Sequence, residues 1–598
     1  MDSAPPKTFD RAADEAWRAR FLSPQPAAPQ PAPELARAAP VPTTESVPGY
    51  PPDRRGPAQP TERMIGRVVY CDGSRAMIAT EAVNLDGART DYWSVGKLLS
   101  INLGATRVVA LVYAINTASE SWSEDGHNVI QIKVEIVGEI YERPDGVSAF
   151  RRGVTNYPQI GSIAHRIRAA DLKVMHDLGA CATAAQIGSL SQDESIPAAV
   201  DVDMMLKRHF SVLGTTGVGK SSAVSLLLRR AVGVKPDLRV LILDPHNEYA
   251  AAFPDISITL DANSVELPFW ILRFEEMADI VFRGRSASEE ENEILRDMMA
   301  AARGRYLSAA QSNYALQSGL LKKPADAVSV SADTPVPYRM IDILQIIDEH
   351  LGKLDQRYNR YDLRNLKNRL EALHADPRYR FMFGRTAIED NIAQVIGKIF
   401  RVPHQGKPIT VFQLAGLPSD VVNAVASVLA RMAFDLAMLS EGKYEILLLC
   451  EEAHRYVPQD RSLGFAPTRQ AIARIAKEGR KYGCYMGVVT QRPGELDPTI
   501  LSQCSTVFAM RLSNDRDQQI IRSAIADSSA STITFLSSIG NREAIAFGEG
   551  VATTMRMRFA EQPRHRLPAA FGHGGDGAGS SDLDLYAVVA RMRGGVAA

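Results

Sequence analysis

The chain has 598 residues, 45% hydrophobic and 23% charged, so it has the composition of a soluble globular protein and the length for several domains. A formal net charge of −1 excludes a globally basic surface, although a ring lined by a few basic side chains per subunit can still hold a phosphate backbone. Five cysteines, at 71, 181, 450, 484 and 504, show no C-x-x-C spacing, which argues against structural zinc and for a reducing compartment.

Residues 1–62 are rich in Pro and Ala and read as a disordered arm, with a short helix near Phe9 to Phe21 as one option. The N-terminus has no apolar core of the secretory type, and no uninterrupted apolar run reaches the length of a membrane span. A cytoplasmic location without integral membrane association is the resulting expectation.

Residues 63–165 change to short β-type runs. Ile65 to Tyr70, Val108 to Tyr113 and Val129 to Val137 are examples, and the last alternates with period two. A small all-β domain, a barrel, is the expected architecture. From 166 the pattern becomes α/β. Val240–Leu243, Ile446–Leu449 and Met486–Thr490 are continuous apolar runs, as strands of a parallel sheet covered on both faces require. Residues 275–400 read as a helical insertion. It divides the α/β domain into parts at 166–274 and 401–565, and 566–598 reads as a flexible tail with a short helix near Leu583 to Arg593.

One segment carries specific chemistry. Gly214-Thr215-Thr216-Gly217-Val218-Gly219-Lys220-Ser221 fits G-x-x-x-x-G-K-[ST] and is followed by Ser222. A short strand of buried type, His209–Leu213, precedes it, and a helical pattern from Ala223 to Arg230 follows. Strand, glycine loop and helix form the setting of a phosphate-binding loop. Its N–H groups can cradle the phosphates of ATP, Lys220 can reach the β- and γ-phosphates, and Ser221 can hold Mg²⁺.

Hydrolysis needs more than a cradle. Glu451 and Glu452 follow the strand Ile446–Cys450. Glu451 is the candidate for the Mg²⁺ side and Glu452 for the general base; the bland alternative is a pair of solvated glutamates opening a helix. Gln491, at the tip of the strand ending at Thr490, is a candidate sensor of the γ-phosphate or else a turn residue. Asp244 and Glu248 also stand at the C-terminal edge of the sheet, where ligands bind in open α/β folds. His246 reads as a turn residue.

The motifs GTTGVGKS (214–221), LDPHNEY (243–249), LCEEAHRYVP (449–458), KEGRKYG (477–483), VVTQRP (488–493) and MRLSNDRDQ (510–518) together resemble the HerA branch of the HerA/FtsK superfamily of ring ATPases. The resemblance spans about residues 63 to 560. It implies a RecA-like P-loop ATPase core with a helical insertion, preceded by a β-barrel. It further implies a homo-hexamer, ATP-driven translocation on double-stranded DNA, and a nuclease or other effector docked through the barrel. Arg480 matches the position that reaches into a neighbouring subunit's ATP; Lys481 is a weaker second candidate. Where many members of the family have Asp, this chain has Glu451, which keeps the charge. DNA-end processing and antiviral defence are two roles the resemblance allows. A peripheral conjugation or secretion ATPase and an ATP-controlled scaffold are the competing classes. Arg357, Arg360 and Arg364 in the insertion are candidates to touch DNA, or else solvated helix charges.

Overall fold

The computed structural model describes residues 64–82, 94–119, 128–261, 264, 267–282, 287–318, 330–353, 357–383, 390–524 and 536–569. The expected helices near Phe9 to Phe21 and Leu583 to Arg593 lie outside them.

Seven strands come first: β1 (Met64–Cys71), β2 (Arg75–Ala82), β3 (Leu98–Asn102), β4 (Arg107–Thr117), β5 (Asn128–Glu142), β6 (Ser148–Arg152) and β7 (Ile163–Arg166). They run in the order β2-β1-β7-β3-β4-β5-β6, and a further β2–β5 pairing closes six strands into a barrel with β6 attached outside. The alternation read in the sequence is the cause. Along β5, Ile130, Ile132 and Val134 point inward and join Val68, Ile78, Ile101 and Val108 in a buried core. Closure leaves the barrel strands few free edges.

The helix α1 (Ala169–His176) and the hairpin of β8 (Ala184–Leu190) and β9 (Pro197–Asp201) follow, then α2 (Val202–Lys207). The phosphate-binding segment lies between β10 (Phe210–Leu213) and α3 (Lys220–Val234). Next come β11 (Arg239–Asp244) and β12 (Ser257–Leu260). The helical stretch holds α4 (Phe274–Phe282), α5 (Glu289–Ser318), α6 (Met340–Gly352), α7 (Arg360–Ala375), α8 (Arg380–Phe383) and α9 (Ile392–Ile399). The chain returns through β13 (Ile409–Gln413), α10 (Ser419–Leu439), β14 (Ile446–Cys450), α11 (Ala466–Glu478), β15 (Cys484–Thr490), α12 (Pro498–Ser502), β16 (Thr506–Ala509), α13 (Asp515–Ala524), β17 (Glu543–Gly548) and β18 (Met555–Phe559).

All strands from β8 onward share one eleven-stranded sheet, β12-β13-β11-β14-β15-β10-β16-β17-β18-β8-β9. From β12 to β16 neighbouring strands are parallel. From β16 through β9 they are antiparallel. The parallel half needs apolar side chains on both faces, and β10, β11, β14 and β15 are buried at every position.

The helical stretch is bound into this core. Trp270, Met277, Leu295, Ile343 and Leu366 share one buried cluster with Phe412 and Leu448 of the sheet. Glu276 on α4 is buried and accepts hydrogen bonds from Ser427 and Arg431 on α10 at 3.0 Å. Arg303 on α5 is fully buried, and its guanidinium donates to the carbonyls of Trp270 and Leu272 at 3.0 Å. A buried charge of this kind is tolerable only because backbone acceptors meet it.

By length and composition alone α10 could cross a membrane, but 72% of its most apolar window is buried inside the protein. It packs on β14, β15 and α11 as a core helix. The barrel is tied to the large sheet by Arg152 of β6, which donates to the carbonyls of Gly548 and Val551 at 2.9 and 2.8 Å. Arg107 of β4 pairs with Asp171 of α1 at 2.8 Å.

Leu448, fully buried on β14 between β11 and β15, tests the importance of the parallel core. Leu448→Ala should cost about 2–5 kcal/mol and lower the thermal unfolding midpoint. An unchanged midpoint would mean that the central strand contributes little.

Candidate ATPase site

Every candidate acid and the phosphate loop stand at the C-terminal edge of the parallel strands. Strand β10 lies between β15 and β16, so the loop emerging from Leu213 has Thr490–Gln491 on one side and Ala509–Arg511 on the other. The loop is clamped there. Gly214 N–H donates to Thr490 O at 3.4 Å, Thr215 N–H donates to Arg511 O at 3.0 Å, and Arg542 N–H donates to Val218 O at 2.9 Å. Gly214 tolerates no side chain, because a Cβ there would sit 2.8 Å from Met510 Cβ. Gly219 has φ 100°, a left-handed conformation that glycine adopts without strain, and it caps α3. The first N–H groups of α3 have no intrahelical acceptors and carry the positive end of the helix dipole.

Lys220 is buried, and its ammonium donates to Thr215 O at 3.1 Å. Burial lowers its pKa, while the charges of Glu451, Glu452 and Glu248 act in the opposite sense. Ser221 Oγ donates to Glu248 Oε2 at 3.0 Å. The hydroxyl proton is thereby directed to a carboxylate, and its oxygen lone pairs stay available to a cation.

Glu451 and Glu452 are both buried at the end of β14, yet they differ in what they touch. Glu451 Oε2 accepts the hydroxyl proton of Tyr249 at 2.6 Å. Burial pushes its pKa up to about 8, with the Tyr249 hydrogen bond opposing the shift. Glu452 adopts φ 50°, a strained conformation for a residue with a side chain, and its Oε2 is buried with no hydrogen-bond partner. His454 Nδ1 lies 3.4 Å from that oxygen and 3.0 Å from Thr490 Oγ1. Thr490 Oγ1 accepts from Arg492 N–H at 3.0 Å. Glu452 Oε2 keeps its acceptor capacity for something that enters the site.

Gln491 Oε1 accepts the hydroxyl proton of Thr216, which couples the tip of β15 directly to the phosphate loop. Asp244 is fully buried and is used on its own turn, accepting from the N–H groups of His246, Glu248 and Tyr249 at 3.3, 3.2 and 2.9 Å. That turn presents Glu248 to Ser221 and Tyr249 to Glu451. His246 is exposed.

Arg480 is elsewhere. It lies in the turn Gly479–Tyr482 that leads into the N-terminal end of β15, whereas the phosphate loop is level with the C-terminal end. Seven residues at about 3.3 Å each put the two about 20 Å apart. Arg480 and Lys481 are exposed, and Arg480 makes no ion pair or hydrogen bond among the described residues. The arrangement brings together residues 214–222, 451, 452 and 491 and leaves 480 outside.

Three contributors were not singled out from the sequence. Tyr249 and His454 sit inside motifs that had been quoted, LDPHNEY and LCEEAHRYVP, but spacing does not say that one hydroxyl meets Glu451 or that one imidazole meets Thr490. Arg542 lies far along the chain and has no local signature.

The donor set suits ATP and Mg²⁺. Oxygen ligands at Ser221 and the carboxylates meet the preference of a hard cation, and Lys220 with the amides of α3 meets a polyphosphate. A family model described as Helicase HerA, central domain, matches residues 185–433, which include the phosphate loop and the Asp244–Tyr249 turn. Over that stretch the chain is similar to the HerA helicases, and with the Lys220 loop it is a P-loop ATPase. The DNA double-strand break repair helicase HerA of Pyrococcus furiosus is 26% identical over 436 residues, 66% of this chain and 73% of that protein. The same-named helicase of Sulfolobus acidocaldarius is 26% identical, over 58% of this chain and 63% of its own. Among solved structures, VirB4 of Thermoanaerobacter pseudethanolicus matches 64% of this chain and 97% of its own at 16% identity, with a TM-score of 0.42. The matches to the HerA helicases place this chain in the class of ATPase and helicase motors.

The nucleotide-free protein should be sensitive to pH at Glu451. Its pKa is about 8 in the folded state against an ordinary 4.5, so the folded state binds the extra proton between these values and stability falls as pH rises across that window. Glu451→Gln removes the ionisation. The midpoint of the variant should gain on the wild type steadily from pH 5 to 8 in thermal melts, and parallel curves would contradict the assignment.

Proposed function

We propose that the protein is a cytoplasmic, ATP-driven motor that moves along double-stranded DNA as a homo-hexameric ring. In this reading Lys220, the amides of residues 214–222 and Ser221 hold the triphosphate. Bound Mg²⁺, carried by Ser221 with Glu451 on its outer side, would neutralise charge on the β- and γ-phosphates. Glu452 Oε2 accepts a proton from water as its oxygen attacks the γ-phosphorus, and the bond to the bridging oxygen breaks to leave ADP and phosphate. Gln491 reports the γ-phosphate to β15 through its contact with Thr216.

The observation that carries the ring is the position of Arg480. An arginine anchored at the far end of β15, about 20 Å along the strand from its own phosphate loop, is badly placed to serve that loop, and its exposure leaves it open to a neighbouring subunit. The site of one chain is then completed by the next, and opening and closing of each interface drives movement. Grip on a phosphate backbone is independent of sequence and sensitive to salt. In the insertion, Arg364 is exposed, whereas Arg357 pairs with Asp297 at 2.8 Å and Arg360 donates to Leu351 O at 2.7 Å. Arg364 is therefore the better DNA candidate of the three.

The barrel has an exposed apolar group, Tyr70, Tyr157 and Ile160, the last 77% exposed. This supports docking of a nuclease or other effector there, in DNA-end processing or in antiviral defence.

Three variants test the reading. Lys220→Ala should abolish ATP turnover. Glu452→Gln should bind ATP and lower turnover at least about a hundredfold; rapid turnover would remove Glu452 from the base role. Arg480→Ala subunits mixed with Lys220→Ala subunits should regain part of the ATPase rate, because mixed interfaces pair an intact loop with an intact arginine. No recovery at any mixing ratio, with ring assembly intact, would defeat the trans role.

A further inference from the structure

Beside the phosphate loop lies a second cavity, of about 430 Å³, lined by Gly219, Ser222, Gln562, Arg542, Glu561 and Arg564 among others. It shares Gly219 with the loop and continues along the first turn of α3. Its charged lining consists of two guanidiniums and one carboxylate, so the space favours an anion.

Arg542 is held against the loop by its backbone. Its N–H donates to Val218 O and its carbonyl accepts from Phe559 N–H, both at 2.9 Å. Its φ is 62°, a left-handed conformation that a residue with a side chain adopts only under constraint. The root of the side chain is thereby laid on Gly219, where a Cβ would sit 3.3 Å from Arg542 Cγ. The side chain is nevertheless 43% exposed. Its Nη1 donates to Glu561 Oε1 at 2.6 Å, and the Glu561 side chain is 77% exposed. An ion pair this open to water contributes little to the fold, and an arriving anion can displace its carboxylate. A polyphosphate seated on residues 214–222 is such an anion. It brings a higher charge, and several acceptor oxygens for a guanidinium fork, to the glycine on which this side chain rests.

We propose that Arg542 is a phosphate-binding residue of its own subunit's ATP site, and that Glu561 competes with the nucleotide for it. This rests on residues 214–222 being the ATP site. Without nucleotide the guanidinium is parked on Glu561; with nucleotide it turns to the phosphates and leaves Glu561 to water. Departure of the nucleotide returns Arg542 to Glu561, so the carboxylate weakens nucleotide binding and assists release. Arg480, in the proposed ring, serves a neighbour. Arg542 serves its own loop, so its contribution is independent of assembly.

Calorimetric binding of ADP and of inorganic tripolyphosphate to the full chain, across a double-mutant cycle, tests the assignment. Arg542→Gln should weaken both ligands by about tenfold or more, and Arg542→Lys, which keeps the charge, should lose less. Glu561→Gln lies at an exposed position where folding is not at risk. It should tighten both ligands by about two- to fivefold, and the gain should vanish in the Arg542→Gln background. A merely structural ion pair predicts the opposite sign, because losing Glu561 would then loosen the loop. Unchanged or weaker binding by Glu561→Gln would overturn the proposal. A gain that persists in full in the Arg542→Gln background would overturn it too, by making Glu561 a simple repulsive charge. So would an Arg542→Gln loss confined to ADP, which would put the guanidinium on the nucleoside. Lys220→Ala separates the two levels of the argument. If it leaves both ADP and tripolyphosphate binding intact, the ATP site itself is misplaced; if it abolishes them while the cycle shows no coupling, only the Arg542 contact fails.

Discussion

The structure depends on a buried ammonium that faces three carboxylates. Lys220 cannot reach water freely, and Glu248, Glu451 and Glu452 lie close enough to oppose part of the cost of its burial. Burial acts on both signs of charge at once. It lowers the pKa of Lys220 and raises that of Glu451, so in the absence of nucleotide the cluster relaxes by keeping a proton on Glu451. The charges stay together only because the backbone holds them there. Strands β11, β14, β15 and β10 end side by side, and the Asp244 turn uses a buried carboxylate to fix the loop that carries Glu248 and Tyr249.

The same sheet separates the phosphate loop from Arg480. Its C-terminal edge bears the phosphate loop, the acids and Gln491, and its opposite edge bears Arg480. Strain and rigidity are distributed accordingly. Glu452 is held in a left-handed conformation with an unsatisfied oxygen, a local cost met by the packing of β14 and β15 around it. At the far edge, His209 joins α11 to the sheet. Its Nδ1 accepts from Met486 N–H at 3.0 Å and its Nε2 faces Ala476 O at 3.2 Å. Burial lowers its pKa to about 4, so the ring stays neutral and both bonds persist through the physiological range. The turn bearing Arg480 follows directly from that helix. Its position is thereby referred to β10, the strand that also delivers the phosphate loop.

The parts added around the parallel core follow from the same need to cover edges. The hairpin β17–β18 and the earlier hairpin β8–β9 extend the sheet beyond β16 in antiparallel fashion, and Arg152 of the barrel seats itself on the carbonyls of that extension. The chain leaving β18 then crosses α3 and meets the Asp244 turn. Residues more than 300 positions apart, Ser222 and Gln562, become neighbours at the mouth of the site as a result. The helical stretch supplies a further wall of the core through Glu276 and Arg303, whose buried charges are each met by fixed partners.

Much of this was legible in the amino-acid order because it is local. The phosphate loop is eight consecutive residues, the apolar runs of β10, β11, β14 and β15 announce a parallel sheet, and the alternation along β5 announces a strand with one buried face. The identities of Glu451, Glu452 and Gln491 as polar residues at strand tips follow from the same runs. Position alone gave the two glutamates different roles, but their surroundings were hidden, because they are set by residues such as Tyr249 for Glu451 and His454 with Thr490 for Glu452. Nor could it show the antiparallel half of the sheet or the cavity at Gln562, since no periodicity records which distant segments meet. Arg480 was read as reaching a neighbour from resemblance alone; only the fold puts a strand's length between it and its own loop. Local order determines which groups exist and which backbone bears them, whereas burial and cross-strand neighbours, which determine their protonation and free valences, arise only when the chain closes on itself.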